Sequence, residues 1–218
     1  MLADFVADPR LAARRMTLAR GQVLYGPQDE ARWLYFVHRG EVRTYRMAEP
    51  RGGRLLEVLG RNQWCGEAVL GHAAVYGEKA VAAVASTVSQ IPAERLFGVL
   101  PRRSTVMLKL LQQLHDKLDA AREDAMALVF EDTRRRLVRT LLRLSRSAAA
   151  APHPAGIALR MTHHDLAQAV GAARETVSEA LTEFRRKKLL TTGRNQVLFN
   201  LEVLAAFEKS LRSTAPAA

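Results

Sequence analysis

The chain has 218 residues, 48% of them hydrophobic, and a formal net charge of +11 at pH 7, with a pI near 10.6 and a mean hydropathy of −0.11. That is enough chain for one large or two small domains with a real core, and the basic balance makes an acidic partner, nucleic acid first, the leading expectation. A single cysteine, Cys65, excludes a disulfide or a four-cysteine iron–sulfur or zinc site within one chain.

The N-terminus, MLADFVADPRLAARR, lacks an apolar core of signal-peptide length, and the longest weakly charged run, AVAAVASTVSQI, is too short to cross a bilayer. A cytoplasmic protein with no membrane partner is expected. Residues 20–100 read as short strands separated by turn residues. RGQVLYGPQDE gives a strand and a Gly-Pro turn, and WLYFVHRGEVRTYR gives two strands joined as a hairpin at His38-Arg39-Gly40. After the polar loop AEPRGG comes the strand RLLEVLG, and KAVAAVASTVSQI closes the series. Strands at this spacing predict a barrel, roll or jelly roll.

The pattern changes at Pro101. Apolar residues then fall at Met107, Leu111, Leu114, Leu118, Ala121, Ala125 and Leu128, an unbroken alternation of four- and three-residue steps. A helix lying on its own domain would show the same stripe. The polar flanks Gln112, Gln113, Asp116, Lys117, Asp119, Arg122 and Glu123 favour pairing with a second copy, so a homodimer is expected. A second helix is expected over about 132–146, with Leu137, Leu141, Leu142 and Leu144 on one side and arginines opposite, followed by SAAAAPHPAGIA as a connector. No internal repeat is present.

MTHHDLAQAVGAARETVSEALTEF has helix-turn-helix spacing throughout. Thr162 and Asp165 form a capping-box pattern, Ala167 permits close helix crossing, and Gly171 supplies the turn. Leu166, Val170, Val177, Ala180 and Leu181 take the buried positions. Arg174, Glu175, Ser178 and Glu179 are left on the outer face as base readers. Thr162, Thr176 and Arg194 are candidate phosphate contacts. RRKKLLTTGRNQVLFN then gives a basic helix end and two β-runs around Gly193-Arg194-Asn195, a wing, and Asn200 is placed to cap a last helix. The run Arg185-Arg186-Lys187-Lys188 is either a phosphate clamp or a solvated helix end.

In this order the β-rich segment, long helix and winged helix-turn-helix resemble the cAMP-receptor-protein/fumarate-nitrate-regulator (Crp/Fnr) family of bacterial transcription factors. The resemblance rests on LARGQVLYGPQDEARWLYFVHRGEVRTYR, WCGEAVL and THHDLAQAVGAARETVSEAL, and it spans almost the whole chain. It implies an α+β protein. An N-terminal antiparallel β-roll of the cyclic-nucleotide-binding kind covers 1–100, a dimerisation helix 101–131, and a C-terminal winged helix-turn-helix 132–218.

The resemblance also implies phosphate contacts at His163 and His164, and an effector pocket at Gly66, Glu67, Lys79, Ala80, Ala121 and Arg122. Gly66-Glu67 matches the ribose-binding pair of cyclic-nucleotide members. Lys79-Ala80 stands where an Arg-Ser or Arg-Thr pair would hold the cyclic phosphate, losing the bidentate fork and the hydroxyl. Ala121-Arg122 stands at an adenine-facing Thr-Ser pair. Binding cAMP in the usual way is therefore not expected. A different anionic effector met by Lys79 or Arg122, and a pocket filled by side chains, stand as alternatives. Cys65, His38 and His72 are the residue types a haem sensor would use, and Cys65 is also a redox candidate; against both, a lone cysteine beside a tryptophan is more often a small buried residue.

The expected function is a homodimeric, sequence-specific regulator of transcription on pseudo-palindromic double-stranded DNA, working with RNA polymerase and gated by a small-molecule or redox signal in the roll. A constitutive, ligand-independent regulator is the alternative, and a small-molecule-binding regulatory subunit docking on a protein is the rival from another class. No nucleophile–base set, P-loop or metal-ligand cluster suggests an enzyme, and no metal site is expected. The recognition segment is unusual in one respect: Glu179 stands where such helices carry an arginine.

Overall fold

The structure is a computed structural model that describes residues 2–47, 53–71 and 73–213. The predicted loop at 48–52 and the candidate ligand His72 lie outside the described residues. The chain divides into two compact units, Met1–Arg122 and Glu123–Ala218.

The first unit opens with α1 (Leu2–Val6) and a 3-10 turn at Pro9–Leu11. Eight strands follow: β1 (Arg14–Leu18), β2 (Val23–Tyr25), β3 (Trp33–Arg39), β4 (Val42–Met47), β5 (Gly53–Leu59), β6 (Trp64–Cys65), β7 (Lys79–Ala82) and β8 (Ser86–Pro92), with a 3-10 turn at Glu67–Gly71. Then come α2 (Ala93–Val99), a 3-10 turn at Leu100–Arg102 and the long α3 (Ser104–Phe130). The strands make two antiparallel sheets, β1-β8-β3-β6 and β2-β7-β4-β5. Leu34, Phe36 and Val37 of β3 join Val42, Leu59, Ala80 and Ala82 of the other sheet in one apolar cluster, which also takes in Leu96, Val106 and Leu110 from the helices. β3 is apolar without alternation because both of its faces are covered.

The expected hairpin at His38-Arg39-Gly40 does not form. β3 pairs with β8 and β6, whereas β4 pairs with β5 and β7. The chain passes from one sheet to the other at Gly40, whose φ of +95° and closeness to Ser86 admit no side chain: an added Cβ would lie 2.6 Å from Ser86 Cα. Ser86 Oγ accepts from Glu41 N at 3.0 Å, tying the crossing down. KAVAAVASTVSQI likewise splits into β7 and β8, which lie in different sheets. Turn chemistry marks where a strand stops; it does not say which sheet the next strand joins.

The second unit takes the end of α3 and continues with α4 (Thr133–Leu144), β9 (Ala150–His153), β10 (Gly156–Leu159), α5 (His163–Val170), α6 (Arg174–Arg186), β11 (Leu190–Gly193), β12 (Gln196–Phe199) and α7 (Leu201–Ser213). Asp132 caps α4, accepting from Arg135 N at 2.8 Å. The arginine face of α4 is spent on ion pairs to the end of α3: Arg139 and Arg143 reach Asp124 at 3.2 and 3.4 Å, and Arg135 reaches Glu131 at 3.4 Å. The segment expected to be a connector is instead a hairpin, β9–β10, at the edge of the sheet β11-β12-β10-β9. Its alanines carry no strand signal; the backbone of β12 beside β10 supplies the order.

Gly40→Val should destabilise the first unit by about 3 kcal/mol or more, since it combines a strained φ with overpacking against Ser86. Chemical denaturation followed by the fluorescence of Trp33 and Trp64 measures this.

Candidate nucleic-acid interface and roll pocket

α5 and α6 cross because their facing residues are apolar: Leu166, Ala167, Val170, Val177, Ala180, Leu181 and Phe184 are all buried. Thr162 Oγ1 accepts from Asp165 N at 3.0 Å while Asp165 Oδ2 accepts from Thr162 N at 2.9 Å, completing the expected capping box. Gly171 ends α5 with φ 70°. Ala173 precedes α6 and makes no side-chain cap, which forgoes roughly 1 kcal/mol at the start of that helix. Asn200 Oδ1 caps α7, accepting from Glu202 N at 2.9 Å and Val203 N at 3.2 Å.

Arg174, Glu175, Thr176 and Glu179 are exposed on α6, and Ser178 is half-buried. His164 is exposed on the first turn of α5, with Thr162 half-buried beside it. His163 turns toward α6, its Nδ1 3.0 Å from Ser178 Oγ. Burial and the neighbouring Arg174 hold this imidazole below the usual histidine range. Arg194 is exposed at the tip of the β11–β12 wing, next to Asn195, which takes a left-handed φ of 59°. Of the basic run, Lys187 pairs with Glu183 at 2.8 Å and lies over the Phe207 ring. Arg185, Arg186 and Lys188 are exposed.

Thr176 and Glu179 also line a groove on this unit together with Asp132, Arg134, Glu183 and Arg186. Arg134 Nε meets Glu183 there at 2.7 Å. Glu179 therefore sits on a rim of mixed charge, where its carboxylate faces solvent.

In the first unit the Gly66-Glu67 pair is built as a turn. Gly66 has φ +81°, and a Cβ on it would lie 2.9 Å from Trp33 O and 3.0 Å from the Tyr35 ring. Glu67 follows on the 3-10 turn. Its Oε1 accepts from Lys117 Nζ at 2.6 Å, and the same ammonium meets Glu57 Oε2 at 2.8 Å. One turn earlier on α3, Gln113 Nε2 donates to Trp64 O at 2.8 Å and Gln113 Oε1 accepts from Trp64 N at 3.1 Å. Ala80 is fully buried and Lys79 half-buried on β7. Ala121 and Arg122 are exposed, and Arg122 pairs along its own helix with Asp119 at 3.3 Å. The helix residue that reaches Glu67 is thus Lys117. Sequence reasoning passed over it as a polar flank, although Gln113 and Lys117 stand four residues apart, the spacing of a second inward face.

The site is acidic around that one lysine. Burial, reinforced by Glu67 and opposed by Lys117, pushes the Glu57 carboxyl up to about 7. Glu78 is raised by burial and accepts from Tyr25 Oη at 2.7 Å, in a stack where the Tyr25 and Tyr76 ring centres are 4.1 Å apart. Cys65 is fully buried, and burial drives its thiol up, away from thiolate. His38 Nε2 lies 2.7 Å from Ser89 Oγ and its ring stands edge-on to Phe36. Neither Cys65 nor His38 is presented as a haem ligand. Among the described residues no group of three or more His, Cys, Asp or Glu side chains is placed to hold a metal ion, and no helix is long and apolar enough to cross a membrane.

A carboxyl with a folded pKa near 7 and an unfolded value near 4.5 binds its proton more tightly when folded. The contribution of Glu57 to stability is therefore fullest below about pH 4.5 and is lost as pH rises toward 7. Glu57→Gln should flatten that fall, as read from denaturation curves of the first unit's transition at pH 5, 6 and 7.

Comparison with known proteins accounts for both units. The cyclic nucleotide-binding domain model matches residues 15–103 and the Crp-like helix-turn-helix domain model matches residues 135–207. The cAMP-activated global transcriptional regulator CRP of Salmonella typhimurium is 26% identical over 175 residues, covering 78% of this chain and 82% of that protein. The CRP-like cAMP-activated global transcriptional regulator of Mycobacterium tuberculosis is 26% identical over 196 residues, covering 85% and 84%. Among solved structures, the c-di-GMP responsive global regulator CLP of Xanthomonas campestris superposes with a TM-score of 0.79 at 25% identity, covering 90% of this chain and 99% of that one. With a cyclic-nucleotide-binding domain joined to a Crp-like helix-turn-helix, the chain belongs to the Crp/Fnr family of DNA-binding transcription regulators.

Proposed function

We propose that the protein acts as a homodimer on pseudo-palindromic double-stranded DNA in the cytoplasm, regulating transcription together with RNA polymerase. The observation that carries the dimer is the uncovered seam of α3. Leu111, Leu118 and Leu128 are 55%, 49% and 46% exposed, while Val106 and Leu110 are each 5% exposed. The stripe that serves the chain's own roll is therefore Val106, Leu110, Gln113 and Lys117. The heptad stripe Met107, Leu111, Leu114, Leu118, Ala121, Ala125 and Leu128 overlaps it at Met107, which packs on the roll's core, and then diverges; a second copy of the helix is the partner its spacing fits.

On this reading Arg174 donates to a guanine and Glu175 accepts from a cytosine amino group. Thr162, His164, Thr176 and Arg194 face the phosphates. The roll does not take a cyclic nucleotide in the usual way. Lys79-Ala80 lacks the fork and hydroxyl for a cyclic phosphate, and a further negative charge would enter a site already holding Glu57, Glu67 and Glu78. Gating by some other effector remains the first reading. The Lys117 bridge supports a second, a constitutive regulator, because the link from Glu67 to the long helix is already made by the protein itself.

Selection from a random DNA pool with the full chain should return two-fold-related half-sites about 34 Å apart, bound with a steep inverse salt dependence. Glu179→Arg should change the selected base at the pair facing residue 179; an unchanged site refutes that contact. Leu118→Glu should lower affinity for the full site by roughly 100-fold or more, since the second half-site no longer binds as part of one molecule. Binding of the single half-site should change little, and titration of labelled full- and half-site duplexes separates the two.

A further inference from the structure

The contact between His163 Nδ1 and Ser178 is one that a phosphate-binding role for the histidine does not explain. Ser178 lies on the face of α6 read above as entering the major groove, and the following inference rests on that reading. Its hydroxyl has one proton to donate and two lone pairs to accept with. Which of these it offers outward depends on what the imidazole does with the other.

His163 Nδ1 is 3.0 Å from Ser178 Oγ, within hydrogen-bond range. The ring is half-buried at the start of α5, and Arg174, one turn before Ser178 on α6, disfavours its protonation. A neutral imidazole that carries its proton on Nε2 accepts a hydrogen bond from the serine hydroxyl at Nδ1. The Ser178 hydroxyl proton then has no second use, and the oxygen turns only lone pairs outward. Glu175 and Glu179 on the same face are also acceptors. Arg174 is left as the one strong donor among the four.

We propose that His163 is a positioning residue for base recognition, which accepts the Ser178 hydroxyl proton and so makes Ser178 an acceptor-only reader of an exocyclic amino group, adenine N6 or cytosine N4. The half-site is then one guanine for Arg174 next to bases that present amino groups in the major groove. With His163 removed, the hydroxyl is free to rotate and donate, and guanine O6, thymine O4 or purine N7 become equally good partners.

The test is site selection from a random pool by the full chain, comparing wild type with His163→Ala, His163→Asn and Ser178→Ala. Wild type should enrich an amino-bearing base at one pair of each half-site. Against a duplex carrying the opposite base there, it should lose roughly three- to tenfold in affinity, the scale of one hydrogen bond. Ser178→Ala and His163→Ala should each abolish the preference at that pair alone, leaving the guanine read by Arg174 intact. Asparagine places an acceptor oxygen near the position of Nδ1, so His163→Asn should restore the preference. If His163→Ala selects the wild-type base and binds all sites more weakly by the same factor, the histidine is a phosphate or structural contact and the proposal is wrong. If Ser178→Ala keeps the preference, Ser178 is not its reader and the proposal is equally wrong. Failure of wild type to enrich any two-fold site would overturn the DNA-reading assignment itself, a separate outcome.

Discussion

One ammonium group decides how the long helix can be used. Lys117 Nζ sits between Glu57 and Glu67 at 2.8 and 2.6 Å, with its side chain 16% exposed. Removing it would leave two half-buried carboxylates facing each other, a costly arrangement for groups that have lost most of their water. Gln113 adds a paired hydrogen bond to the backbone of Trp64 one turn earlier. Together these fix the rotation of α3 against the roll, and helix geometry does the rest. With Val106, Leu110, Gln113 and Lys117 turned inward, Leu111 and Leu118, about 100° further round, must point away. The same helix thus shows one apolar stripe to its own domain and leaves another uncovered.

The bridge also changes what the pocket can hold. The Glu67 carboxylate, next to the turn at Gly66, is already engaged by Lys117. The site is rich in carboxyl groups around Lys117, and burial pushes Glu57 and Glu78 toward their neutral forms. Lys117 is spent on Glu57 and Glu67, so an anionic effector would have to be met by another cation.

The DNA-binding half was legible in the sequence because its signals are local. Thr162 and Asp165 cap within one turn, Gly171 ends α5 where a left-handed residue is needed, and Leu166, Val170, Val177 and Leu181 alternate at helical spacing. The wing and the Asn200 cap were equally readable. What escaped was long-range. Strands β3 and β4 are adjacent in sequence and punctuated like a hairpin, but the crossing at Gly40 is set by Ser86, more than forty residues on. The β9–β10 hairpin carries no β signal of its own and exists because β12 lies beside it. Lys117 looked like a solvated flank, since no local pattern shows that its partners are Glu57 and Glu67.

The recognition helix shows how a local oddity acquires a physical reading. Glu179 alone is a lost donor. With Glu175 beside it and His163 holding the Ser178 proton, it belongs to a surface that accepts at three positions and donates at one. All of this depends on two such surfaces acting together, and so on the uncovered seam of α3. The most direct test is sedimentation equilibrium of the full chain at micromolar concentration, without DNA. The account predicts a single species at twice the chain mass of 24.2 kDa. A species at 24.2 kDa that still binds a two-fold site with full affinity would contradict it.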